Sequence, residues 1–246
     1  MDGATLVWIA LLMALAAALY SSVGHGGASA YLAIMALFAV APEVMRPTAL
    51  ALNLVVAGLG AARYWYRGQT NTRLLLAFAV TATPAAFLGG AIHLPADIYR
   101  PVVGALLWAA ALRLFWQPKA LAYRDVTTPS LAITLPAGAA LGLLAGLTGT
   151  GGGIFLSPLI ILFGWEQPRH TSGVAAGFIA LNSLAGLAGN LAGFAALPQE
   201  LPILVGAVAA GALLGTWLGV ERLPRERLLQ ALGLVLAIAG YKLIFA

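Results

Sequence analysis

Ten apolar segments run the length of this chain, at 5–23, 28–41, 46–64, 72–92, 98–116, 130–148, 153–165, 170–193, 200–220 and 226–245. All eight carboxylates (Asp2, Glu43, Asp97, Asp125, Glu166, Glu200, Glu221 and Glu226) fall outside them or at their edges. Carboxylates are excluded in this way where a segment lies in hydrocarbon, because an ionised side chain there is costly. With 61% hydrophobic and only 9% charged residues, a water-soluble fold is excluded as well. The lengths suit an all-α polytopic membrane protein, since about 20 residues of helix cross a bilayer.

Two segments are too short to cross. Residues 28–41 and 153–165 hold 14 and 13 residues, and a helix rises only about 1.5 Å per residue. Each follows a glycine cluster, Gly24-His25-Gly26-Gly27 and Gly149-Thr150-Gly151-Gly152-Gly153, so each is expected to form the second arm of a broken or re-entrant hairpin.

The clusters belong to a repeat. At an offset of 125, Gly24, Gly26, Gly27 and Phe38 meet Gly149, Gly151, Gly152 and Phe163. At an offset of 129, Ala51-Leu52-Asn53 meets Ala180-Leu181-Asn182, and Leu94-Pro95 meets Leu223-Pro224. One insertion of four residues reconciles the registers, giving an N-terminal repeat over 1–117, a cytoplasmic linker over 118–129 and a C-terminal repeat over 130–246.

Lys and Arg concentrate in alternate loops: Arg63, Arg67 and Arg73; Arg113, Lys119 and Arg124; Arg222, Arg225 and Arg227. By the positive-inside rule these loops face the cytoplasm, which sets both termini in the periplasm and the halves in opposite orientations. The expected architecture is two inverted-topology repeats, each a broken hairpin followed by three transmembrane helices. The N-terminus lacks the basic stretch of a signal peptide, so the first segment is expected to be retained.

Inverted repeats with interrupted helices suit a secondary transporter with a midplane site. A helix that begins inside the membrane presents unpaired N–H groups and the positive end of its dipole, and so attracts an anion. The backbone at Gly24, Gly26, Gly27, Gly149, Gly151, Gly152 and Gly153 either lines such a site or serves close helix packing. Thr48, Thr148, Thr150, Thr171 and Ser172, together with Ser21, Ser22 and Ser157, are the hydroxyls nearest the clusters. Asn53 and Asn182 either bind the ligand or bond between helices, whereas Thr81, Thr83 and Thr216 suit local backbone bonding.

With no carboxylate at membrane depth, His25 and His170 are the candidates for proton coupling; His25 serves equally as a neutral donor. Arg46 and Arg169 precede corresponding helices, as an electrostatic entrance or as interfacial anchors.

Several classes are excluded. The chain has no cysteine, which removes disulfides, zinc–thiolate sites and thiol catalysis, and its basic residues never interleave with aromatics as a nucleic-acid surface requires. The apolar segments carry no catalytic set or metal motif, so an enzyme, a metal and a cofactor are not expected. The expected partners are a small anionic substrate and the lipid bilayer, with a homodimer compatible with the small-residue faces. A channel and a non-transporting assembly component stay open as alternatives.

The residues resemble the TauE/SafE family of sulfite and anion exporters, also described as the toluenesulfonate uptake permease group. The resemblance is carried by Ser22-Val23-Gly24-His25-Gly26-Gly27 and by Leu147-Thr148-Gly149-Thr150-Gly151-Gly152-Gly153, with Pro158 five residues beyond. Arg46-Pro47-Thr48, His170-Thr171-Ser172-Gly173 and Leu181-Asn182-Ser183 reinforce it. It implies export, or occasionally uptake, of sulfite or organosulfonates such as sulfoacetate across the bacterial inner membrane, without covalent catalysis. The first half departs from the second at Ala28 and Ala33, where the second has Gly153 and Pro158.

Overall fold

The computed structural model describes residues 3–21, 24–115, 126–218 and 225–245, and every regular element among them is helical. In chain order they are α1 (Gly3–Ser21), α2 (Ala28–Leu37), α3 (Pro42–Tyr66), α4 (Thr72–Ala91), α5 (Ala96–Phe115), α6 (Leu131–Thr148), α7 (Gly153–Leu162), α8 (Pro168–Gly189), α9 (Leu201–Leu218) and α10 (Arg225–Phe245), with a short 3₁₀ helix at Leu191–Ala196. Among the described residues, α1, α3, α4, α6 and α8 are long and apolar enough to cross a membrane. Their outer faces are apolar, with Val7, Leu11 and Leu15 of α1 and Leu76, Val80 and Leu88 of α4 exposed, as lipid contact requires. Ser22, Val23, Arg222 and the linker up to Asp125, with Lys119 and Arg124, lie outside the described residues.

The two short segments are helices of ten residues, about 15 Å long, and both end earlier than hydropathy suggests. A left-handed residue stops each, Ala39 with φ 55° after α2 and Gly164 with φ 66° after α7. The closing hydrogen bonds match: Val40 N–H donates to Met35 O and Trp165 N–H to Ile160 O, both at 2.9 Å. This six-to-one bond after a left-handed residue is the Schellman ending, and it satisfies carbonyls that the lipid would not. The next helices, α3 and α8, each begin with proline in the first turn, where a missing N–H costs nothing.

Small residues set the helix pairings. Gly138, Gly142 and Gly146 lie one turn apart on α6, and β-carbons there would strike the backbone of Phe78, Ala82 and Ala86 on α4, so the two helices run parallel in close contact. Gly211 and Gly215 of α9 lie in the same way on Ala14 and Ala18 of α1. Each of these seams joins a helix of the first half to one of the second.

Two further cross-half pairs are antiparallel. Along α3 and α8, Leu50 meets Gly186, Asn53 meets Ser183 and Gly60 meets Ala176. Along α5 and α10, Gly104 packs on Gly240 and Ile244, and Phe115 packs on Gly233. Buried side chains form one core across α1, α2, α3, α5, α9 and α10 with Ile154 of α7, and a second across α4, α7 and α8.

Candidate functional site

Both glycine breaks are buried, and they come together around two side chains. The chain leaves α1 through Gly24, at φ 75°, with the His25 N–H donating to Tyr20 O at 3.0 Å. It leaves α6 through Gly149, Gly151 and Gly152, all left-handed, a conformation glycine adopts at little cost. A β-carbon at Gly26 would collide with the Asn53 carboxamide oxygen and sit 3.1 Å from Ile179 Cγ2; one at Gly151 would collide with the Asn53 amide nitrogen and sit 3.0 Å from the same Ile179 carbon. Asn53 of α3 and Ile179 of α8 therefore lie between the breaks.

Both carboxamide atoms of Asn53 are bonded in this position. Its Oδ1 accepts from the Ala28 N–H at 3.3 Å, at the start of α2, and its Nδ2 donates to Ser183 Oγ at 3.1 Å. Of the two roles open in the sequence, these bonds show the one between helices. The start of α7 is built otherwise. It has no side-chain cap, and a β-carbon at Gly153 would strike the apolar Ile179. Asn182, the sequence counterpart of Asn53, lies one turn farther along α8, fully buried, with both carboxamide atoms unpartnered.

Asn182 is not alone in this. The Tyr31 hydroxyl of α2, Thr48 Oγ1 of α3 and Ser157 Oγ of α7 are also buried without a partner, so each of the four helices around the breaks contributes such a group. Thr70 and Thr134, outside these helices, share the condition. A buried polar group without a hydrogen bond costs about 1–3 kcal/mol, so each of these is a donor or acceptor open to a ligand or water.

The remaining candidates are distributed as follows. Thr148 Oγ1 donates to Leu144 O at 2.6 Å and lies 3.0 Å from Thr150 Oγ1; both residues are buried at the second break. Gly24 packs on Ser172, and Gly149 packs on the Arg46 backbone, so each break is seated on the first turns of the opposite half's long helix. Gly27 lies under the Tyr31 ring, and Gly152 beside Phe178 and Leu141. Thr171 Oγ1 bonds back to Gln167 O at 2.9 Å in the first turn of α8, so its hydroxyl serves that helix end. His25 and His170 are half-buried, and Thr81 bonds Leu135 O at 2.7 Å, a backbone role.

Arg46 is buried, donating to Ile92 O and Gly89 O at 2.7 Å each and to Gly90 O, the carbonyls at the end of α4. A cation suits that position, where the helix dipole is negative. Arg169, its supposed counterpart, is exposed at the start of α8.

Ser183, Ile179, Tyr31 and Tyr99 belong to the surroundings of the site without having been singled out for it. Tyr99 of α5 donates to Thr148 O at 3.0 Å. Only Ser183 carried a signal, as the neighbour of Asn182 in the second-half motif; the others are apolar or aromatic and look like core. A cavity of about 290 Å³ lies elsewhere, lined by Asn71, Arg73 and Trp165 among others. No group of His, Asp or Glu among the described residues could hold a metal ion.

A family model described as sulfite exporter TauE/SafE matches residues 9–243. The chain belongs to the TauE/SafE family. Among curated relatives of this TauE/SafE protein, the probable membrane transporter protein y4hK of Sinorhizobium fredii (strain NBRC 101917 / NGR234) is 39% identical over 229 residues, covering 92% of this chain and 93% of that one. The probable membrane transporter protein YjnA of Bacillus subtilis (strain 168) is 27% identical over 243 residues, covering 92% and 95%. No solved structure matches. The protein is thus a multi-pass membrane transporter of the TauE/SafE type.

Proposed function

We propose that this TauE/SafE protein is a secondary transporter, working as an exporter, for small sulfur-containing anions such as sulfite or organosulfonates across the bacterial inner membrane. The observation that carries the proposal is the meeting of two buried helix breaks among orphaned hydroxyl and amide groups, with no carboxylate among the buried described residues. Hydroxyls, carboxamides and free backbone N–H groups are the donors a sulfite or sulfonate oxygen takes. The family's description as sulfite exporters supports the substrate class.

The halves are proposed to be inverted, with both termini periplasmic. Equivalent helices of oppositely inserted repeats run against each other where they meet at the pseudo-two-fold axis, and the antiparallel contacts of α3 with α8 and of α5 with α10 support this. Where transport is coupled to protons, His25 and His170 are the groups proposed to carry them.

Purified protein in liposomes should move labelled sulfite with saturation, and Gly26→Leu and Gly151→Leu should abolish the flux. Non-saturating, conductive flux would identify a channel, and movement of neutral solutes alone would overturn the anion proposal.

A further inference from the structure

We infer that Ile179 sets the size of anion this protein accepts and restricts it to sulfur anions with little or no tail; this rests on the transport function proposed above. Ile179 is 2% exposed, yet it belongs to neither of the two apolar cores. Its neighbours are the backbones of the helix breaks instead. Its Cγ2 lies 3.1 Å from a β-carbon placed on Gly26 and 3.0 Å from one placed on Gly151, and a β-carbon on Gly153 would strike its Cγ1 and Cδ1. Asn53 closes the same gap from α3, with its carboxamide against Gly26 and Gly151.

The gap between the breaks is therefore filled from two sides, by an amide and by a branched alkyl group. A single carbon added at Gly26, Gly151 or Gly153 meets one or the other. A sulfite or sulfonate group is larger than that carbon, so it reaches the uncapped start of α7 only when Ile179 gives way. Isoleucine is branched at Cβ and keeps one χ1 rotamer in a helix about 90% of the time, so it moves with α8 rather than swinging alone. Whatever room opens there is reduced by the fixed volume of this side chain. The anionic head matches the hydrogen-bonding side of the gap, at Asn53 and the backbone N–H groups, and any tail is left against Ile179.

Methanesulfonate, ethanesulfonate and propanesulfonate carry the same head and the same charge and differ only in tail length. Each is tested as a competitor of labelled sulfite flux in proteoliposomes. A methylene that finds an apolar place strengthens binding about fourfold. In the unmodified protein Ile179 occupies that place, so propanesulfonate should compete no better than methanesulfonate. I179A removes Cγ1, Cγ2 and Cδ1, and propanesulfonate should then gain at least about tenfold on methanesulfonate. I179V removes only one carbon and keeps Cγ2 against both breaks, so the gain should be about fourfold. I160A makes the same deletion in the core across α4, α7 and α8; it should lower the melting temperature and leave the ranking by tail length as it is.

A ranking unchanged in I179A, an equal gain in I160A, or a tenfold preference for propanesulfonate already in the unmodified protein overturns the assignment to Ile179, while sulfite flux leaves the transport function standing. Absence of sulfite flux in the unmodified protein defeats both. Should I179A not fold, the ranking in I179V decides.

Discussion

Replacing Asn53 by aspartate separates its two roles, as a cap for α2 and as a neutral side chain between two helix starts. The carboxylate keeps an acceptor for the Ala28 N–H, and aspartate is among the best helix caps, so the cap on α2 should be retained. The new charge stands where the substrate's charge is proposed to lie. At a separation of about 5 Å and an effective dielectric of about 20, the repulsion is about 3 kcal/mol, or about two orders of magnitude in anion affinity.

Asn53→Ala gives the contrasting result. It leaves the Ala28 N–H and the Ser183 hydroxyl without their partner, at about 1–3 kcal/mol each, so it should lower the melting temperature without adding repulsion. The assay is methanesulfonate flux in proteoliposomes across a pH series, since that anion keeps one charge throughout. As pH falls the introduced carboxyl takes up a proton and becomes neutral, with nearly the shape of asparagine, so flux in Asn53→Asp should recover toward acid relative to the unmodified protein. Full flux near pH 8, or a deficit that does not shrink on acidification, would refute the placement of the anion beside Asn53.

Packing predictions are simpler. Gly142→Leu drives a side chain onto the Ala82 backbone and should destabilise by about 1–3 kcal/mol, whereas Gly58→Ala, with nothing within 4 Å of its new carbon, should stabilise by up to about 1 kcal/mol; thermal unfolding in detergent compares them. Asn71→Ala removes both the cap on Leu74 N–H and the bond to Glu166, and should cost about 0.5–2 kcal/mol in the same assay.

Hydropathy and charge were enough to find the ten α-helices of the described residues, because in lipid the length and polarity of a segment leave few choices of element. Internal counting also located the two breaks, which matched glycine clusters mark directly. The differences inside the site were not legible. The match of Asn53 with Asn182 holds in sequence, yet a shift of one helical turn puts Ile179, not Asn182, at the start of α7; small-residue matches cannot fix that phase. Arg46 looked like a surface cation because its acceptors, the carbonyls of Gly89, Gly90 and Ile92, are backbone atoms of a distant helix end and have no residue signature.

The seams of α1 with α9 and α4 with α6 have a further bearing on motion. Each stitches a helix encoded early in the gene to one encoded late, through backbone approaches too tight to slide. A transport cycle of the proposed kind therefore moves a mixed body drawn from both halves of the chain, because these seams tie the halves together.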